Sequence, residues 1–173
     1  MTIRKILTEP DPFLRQKSHD VDRVDDETRK LIDDMLDTMY AAPGIGLAAI
    51  QVGIPKKIIV IDISKEEGKT PLCFINPKII LKSNNNSTYE EGCLSVPGQF
   101  AEIDRPDKCH INYLDYNGTP QKLKAEGLLA TCIQHEMDHL EGILFIDYLS
   151  KLKKSFIVTK LSKQKKSLER IVV

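Results

Sequence analysis

His135 and His139 stand four positions apart in "TCIQHEMDHLEG", residues 131–142, with Glu136 beside the first. At 3.6 residues per helical turn both imidazoles leave one face, so they can reach a single ion while the glutamate stands next to it. That arrangement suits a cation that acidifies water and a carboxylate that moves the proton. A core helix with two hydrogen-bonded histidines is the plainer alternative. Against it, Gln134, His135, Glu136, Asp138 and His139 are all polar, and a purely core helix gains nothing from such a run.

Two imidazoles need a third donor. Zinc peptidases place it downstream, as a glutamate on a later helix or as the last histidine of HExxHxxGxxH. Gly142 fits the extended pattern, but Phe145 occupies the histidine position, no histidine follows His139, and Glu169 is the only glutamate beyond Glu141. The third donor is therefore expected upstream, from His19, His110 or a cysteine. The best local context is "EEGCLSVPG", residues 90–98, and Cys93 is the choice. It sits beside a glycine in a turn-like segment ended by Pro97 and Gly98, where a thiolate can face an ion and the next backbone N–H can face a substrate. A buried structural role is the alternative for Cys93. Cys73, Cys109 and Cys132 read as small core residues. Two imidazoles and a thiolate leave a coordination position for solvent, which points to hydrolysis.

"GIGLAAIQVG", residues 44–53, matches the GxGxxA dinucleotide pattern, and Asp62 ends the strand-like run after it. The match fails on context, because that fingerprint needs a strand before it and a helix after it, whereas here a helix precedes. What remains is a tight structural turn, or glycines that let an extended ligand backbone approach, with Gln51 supplying an amide donor.

These segments must be positioned by the rest of the chain. Asp25 and Asp26 precede Leu31, Ile32, Met35, Leu36 and Met39, which predicts an acid-capped amphipathic helix over 26–41. "KIIVIDI" at 57–63 reads as a strand ended by the "KEEGKTP" turn, and "PLCFINPKIILKS" as two short strands broken at Asn76 and Pro77. "NNNS" at 84–87 reads as a loop, and "HINYLD" and "QKLKAEG" as strands joined at Asn117 and Gly118. Gly127 and Gly142 bracket the histidine helix. A last helix is expected to place Leu149, Leu152, Phe156 and Leu161 on or near one face. The class is α+β: mainly antiparallel sheets around a central HExxH-bearing helix, with an N-terminal and a C-terminal helix, and residues 1–173 forming a single domain.

Lysine plus arginine equals aspartate plus glutamate at 25 each, which argues against a nucleic-acid binder driven by net charge and against specific DNA binding. The balance hides a basic tail, with seven lysines and Arg170 against Glu169 from Leu149 onward. No stretch approaches the ~20 apolar residues of a membrane span, and the first residues lack an apolar signal core, so a cytoplasmic location is expected. Four cysteines without CxxC spacing read as reduced thiols.

Taken together, "GIGLAAIQ", "EGCLS" and "QHEMDHLEG", in that order, make the chain resemble the peptide deformylases over nearly its whole length. The resemblance implies that Cys93, His135 and His139 bind a divalent metal, Fe²⁺ natively, although Zn²⁺, Ni²⁺ or Co²⁺ also suit the donors. It implies Glu136 as general acid/base, with the Gln51 side chain and the Leu94 backbone N–H stabilising the oxyanion. The substrate it implies is the N-formylmethionyl nascent peptide, from which formate is released. Ile45, Gly46 and Glu91 would line the peptide track, and Leu128 and Cys132 an apolar methionine pocket. The lysine-rich C-terminal helix reads first as a solvated face; the alternative, which the resemblance allows, is ribosome docking through that helix, where lysines would meet phosphates. Two competing classes are a zinc endopeptidase and a non-enzymatic domain with a structural metal.

Overall fold

The computed structural model describes residues 2–64 and 68–172. The side chain of Asp25 accepts the Thr28 backbone N–H at 2.9 Å and caps helix α1, Asp26–Ala41, whose first turn carries Asp26 and Glu27 where the helix dipole favours negative charge. Leu31, Ile32, Met35 and Met39 form its buried stripe, as their spacing predicts.

Seven strands follow among the described residues: β1 Gly46–Ala48, β2 Ile58–Ile61, β3 Leu72–Lys82, β4 Asn86–Cys93, β5 Val96–Pro106, β6 Lys108–Leu114 and β7 Pro120–Glu126. Five make one sheet in the order β1-β2-β3-β6-β7, while β4 and β5 form a separate ribbon. Every strand pairing among them is antiparallel. β2 explains its own composition: Ile58 and Val60 pack toward α1, Ile59 and Ile61 toward helix α2, Gly127–Leu140, so both faces are covered and all four residues are β-branched.

On α2, Ala130, Ile133, Met137 and Leu140 recur every three or four residues and lie in or against the cluster shared with Ile59, Phe74 and Ile111. That packing turns His135 and His139 toward the ribbon, while Leu128 and Cys132, at the border of the same cluster, line the cavity beside the glycine segment. A third cluster joins Val96 and Ile103 of β5 to Phe145, Ile146 and helix α3, Lys151–Val172.

Three local expectations change. The segment around Asn76 and Pro77 is a bulge within one continuous strand, not a break: Asn76 takes φ 50°, and its side-chain amide bonds both Val21 N–H at 2.8 Å and Val21 C=O at 2.9 Å. That tie holds the irregular backbone where Pro77 has no N–H to give the ladder. The loop expected at 84–87 is shorter, because β4 already begins at Asn86. Among the described side chains of α3 the buried ones are Ile157 and Leu161, whereas Leu152 and Phe156 are 82% and 71% exposed. Leu149 packs against the third cluster, but the face drawn through Leu152 and Phe156 is not the buried one. Residues 65–67 of the expected "KEEGKTP" turn lie outside the described residues.

Candidate active site

Helix α2 delivers His135 and His139, and the end of β4 delivers Cys93. Donor atoms of these three residues all lie within 4.8 Å of one another, and the Cys93 sulfur is 3.4 Å from His139 Nε2. His19 bridges to Lys56 and His110 lies in β6; neither joins the group. Among the described residues the group offers three donors and no fourth, which is the count of a site open to solvent and not of a closed structural one.

Three features test whether a cation fits. His135 Nδ1 is engaged by Glu91 Oε1 at 2.8 Å, which leaves the other ring nitrogen for an ion. Burial disfavours a charged His135, yet hydrogen bonds with Cys93 and Glu91 and the nearby Glu136 outweigh it and hold the imidazole well above its ordinary range. The surroundings thus favour positive charge at that spot. His139 behaves oppositely: burial first, then His135 and Arg105, keep it well below the usual range, so it remains a neutral ligand. The residues fit a divalent ion.

Glu136 is buried beside them, and its Oε2 has no partner among the described residues. Burial pushes its carboxyl up to about 7, Glu91 and Asp138 adding to the effect while His135 and Arg105 oppose it. Strand β1 can lie against this carboxylate only because residue 46 is glycine: an added Cβ would collide with Glu136 Oε1.

Gln51 lies in the short 3-10 turn Ala49–Val52 and is almost fully buried. Its Oε1 accepts Ala48 N–H at 2.9 Å, and its Nε2 donates to Ser95 Oγ at 3.0 Å and faces Cys93 Sγ at 3.6 Å. The amide is therefore held with its donors toward the cysteine. Leu94 occupies the tight turn between β4 and β5, and its N–H donates to no backbone carbonyl among the described residues.

A cavity of about 770 Å³ opens over these groups, large enough for a peptide segment. Ile45, Gly46, Glu91, Leu128 and Cys132 all line it, together with Gln51, Cys93, Leu94, His135 and Glu136. Burial pushes the Cys132 thiol up to about 12, so it stays protonated and serves as an apolar wall. Glu91 lines the cavity and also has a second engagement. Its carboxylate is directed at His135 and at Arg105, which it meets through Nε at 2.7 Å and Nη2 at 3.0 Å.

Arg105 also donates to Asp138 at 2.9 Å, and Asp138 accepts the Tyr148 hydroxyl at 2.7 Å. Burial of Glu91 works against its charge, but His135 and Arg105 prevail and hold its carboxyl below the ordinary value. Sequence reading missed Arg105, Ser95 and this duty of Glu91. Glu91 and Arg105 share one hairpin, but His135 lies 44 residues beyond Glu91, and a single sequence contains no signal that couples the three.

Fold and site define a class: an α+β hydrolase built on an HExxH helix, with a cysteine from a β-ribbon brought against its two histidines. A family model described as "Polypeptide deformylase" matches residues 3–155. A peptide deformylase of Pelagibacter ubique is 67% identical over the whole of both chains, and one of Rhizobium meliloti is 54% identical over 96% of this chain and 97% of its own. The crystal structure of peptide deformylase from Ehrlichia chaffeensis superposes with a TM-score of 0.92 at 44% identity, covering 96% of this chain and 98% of that one. The chain belongs to the polypeptide deformylase family.

The buried network makes a prediction. Arg105→Leu strands two carboxylates without their counter-charge and should lower stability by about 3 kcal/mol or more. Combined with Glu91→Leu, the loss should shrink, because one stranded charge is removed along with the arginine. Urea unfolding of both variants checks this, and equal losses would show that Glu91 and Arg105 are not coupled.

Proposed function

We propose that residues 1–173 form one catalytic unit that removes the N-formyl group from the initiator formyl-methionine of nascent polypeptides and releases formate. The observation that carries this reading is the convergence of Cys93, His135 and His139, with Cys93, His135 and Glu136 lining a peptide-sized cavity. A family member solved with actinonin, from Ehrlichia chaffeensis, superposes at a TM-score of 0.91 with 47% identity.

In this reading Cys93, His135 and His139 hold one divalent cation, which when bound acidifies water and draws electron density from the formyl carbonyl. The donor set suits iron(II), zinc, nickel or cobalt. Iron(II) as the native ion rests on the family resemblance. Glu136 Oε2 accepts the proton of the attacking water and passes it to the amine nitrogen as the C–N bond breaks. The Gln51 side-chain amide and the Leu94 N–H face the oxygen on which negative charge develops, and donors fixed before reaction cost no reorganisation. Glu91, locked by Arg105, sets the His135 ring. Gly46 and Ile45 border the extended substrate on one side and the β4–β5 ribbon on the other, while Leu128 and Cys132 receive the methionine side chain.

No helix among the described residues is long and apolar enough to cross a membrane. We place the enzyme in the cytoplasm, where formylated chains emerge, with α3 docking on the ribosome. The exposed Leu152 and Phe156 beside Lys151, Lys153 and Lys160 support that docking.

Formate release from a formyl-Met-Ala-Ser peptide should be abolished by chelation and restored by divalent metal, most fully by iron(II) under anaerobic conditions. A chelated enzyme that keeps its rate would refute the metal reading. Gln51→Ala should lower kcat about 100-fold with metal content unchanged by elemental analysis; undiminished turnover would remove Gln51 from the oxyanion site. Reversing Lys151, Lys153 and Lys160 to glutamate should weaken cosedimentation with ribosomes while leaving peptide turnover intact. Truncation is the poorer test, since it deletes the buried Ile157 and Leu161. Undiminished ribosome binding by the reversed variant would rule out charge-driven docking.

A further inference from the structure

Nine large apolar side chains are exposed among the described residues, and three of them, Ile3, Ile45 and Phe100, line the one catalytic cavity. Single exposed apolar residues are ordinary on a protein surface, but a cluster at the mouth of a binding cleft marks contact with a ligand. Phe100 is 65% exposed and Ile45 47%.

The position of Phe100 is built, not incidental. It pairs with Gly92 across the β4–β5 ribbon, and a Cβ at residue 92 would fall 2.6 Å and 2.7 Å from two carbons of its ring. Gly92 has no positive φ that would call for glycine, so the missing side chain makes room for the ring. The aromatic is thereby seated on the strand that bears Cys93, one residue from the proposed metal donor. Ile45 lines the same cavity from the glycine segment, next to Gly46 and its contact with Glu136.

An extended peptide alternates its side chains between faces. If methionine enters the closed end at Leu128 and Cys132, the side chain that follows must leave toward the open mouth, where Ile45 and Phe100 stand. We propose that Ile45 and Phe100 form an apolar clamp for the residue immediately after methionine, so that the enzyme prefers formylated chains with an aromatic or large aliphatic second residue. This rests on the deformylase reading above. Partial burial at an open rim corresponds to a factor of about 5–10 in kcat/KM. Glu90 lines the same cavity, so a lysine in the second position is the competing preference.

The test uses metal-loaded enzyme and formyl-Met-X-Ser peptides with X as Phe, Leu, Ala, Lys or Asp, followed by formate release. Phe and Leu should exceed Ala by about 5–10-fold, with the gain in KM and not in kcat. Phe100→Ala should bring the Phe-to-Ala ratio to within about twofold, and Phe100→Lys should shift preference toward Asp, a gain that misfolding cannot mimic. A flat profile, a preference for Lys, or a profile untouched by Phe100→Ala would overturn the clamp alone. Wild-type enzyme that releases no formate from any of the five peptides would overturn the deformylase reading and the clamp with it.

Discussion

The molecule depends on the packing of α2 against the five-stranded sheet. Ala130, Ile133 and Leu140 are driven into the sheet by the loss of apolar surface from water, and on a 3.6-residue helix that choice leaves no freedom for the other positions. His135 and His139 must then face the ribbon, and Glu136 must come to rest against β1. The hydrophobic effect is non-directional, yet through helical periodicity it aims three polar side chains at one point. The same sheet buries α1 on its other face through Ile58 and Val60, so the helix that bears the chemistry is braced from behind.

Aiming polar groups inward has a cost, and the structure meets it with charge. Glu91, Arg105 and Asp138 sit at or near the base of the site, where an unpaired charge would be expensive. Arg105 engages two carboxylates at once, which leaves Glu91 ionised and able to hold His135 by its outer nitrogen. Such a buried ion pair is weak evidence of stability, because desolvation offsets much of its attraction. Its value here is positional: it fixes a ring orientation and favours positive charge between Cys93 and the histidines.

Close approach is the second constraint on the cleft. Gly46 lets β1 touch Glu136, and Gly92 lets an aromatic ring lie on the cysteine strand. Removing side chains at these two points narrows the walls until backbone and ring define the cleft. The glycine segment therefore works as a spacer and not as a phosphate cradle. With Gln51 held by Ala48 and Ser95, its donors are set before any substrate arrives.

Much of this was legible from residues alone. Spacing located α1 and α2, the excluded downstream donors pointed to Cys93, and three short motifs with their order indicated the family. Those features are local, recorded in distances of a few residues that a helix or hairpin converts directly into geometry. The exposed Leu152 and Phe156 were misplaced because α3 touches the body along only one narrow stripe, and periodicity cannot say which of two apolar stripes that is. Asn76 was read as a break because its partner Val21 lies 55 residues away. Sequence by itself determined which side chains are the candidates for the chemistry, and the fold gathers them at one cavity. Tertiary structure alone decided which groups orient and charge-balance them, because the contacts from Glu91 and Arg105 of the β4–β5 ribbon to His135 and Asp138 of α2 join segments whose proximity exists only after burial has packed the ribbon and the helix together.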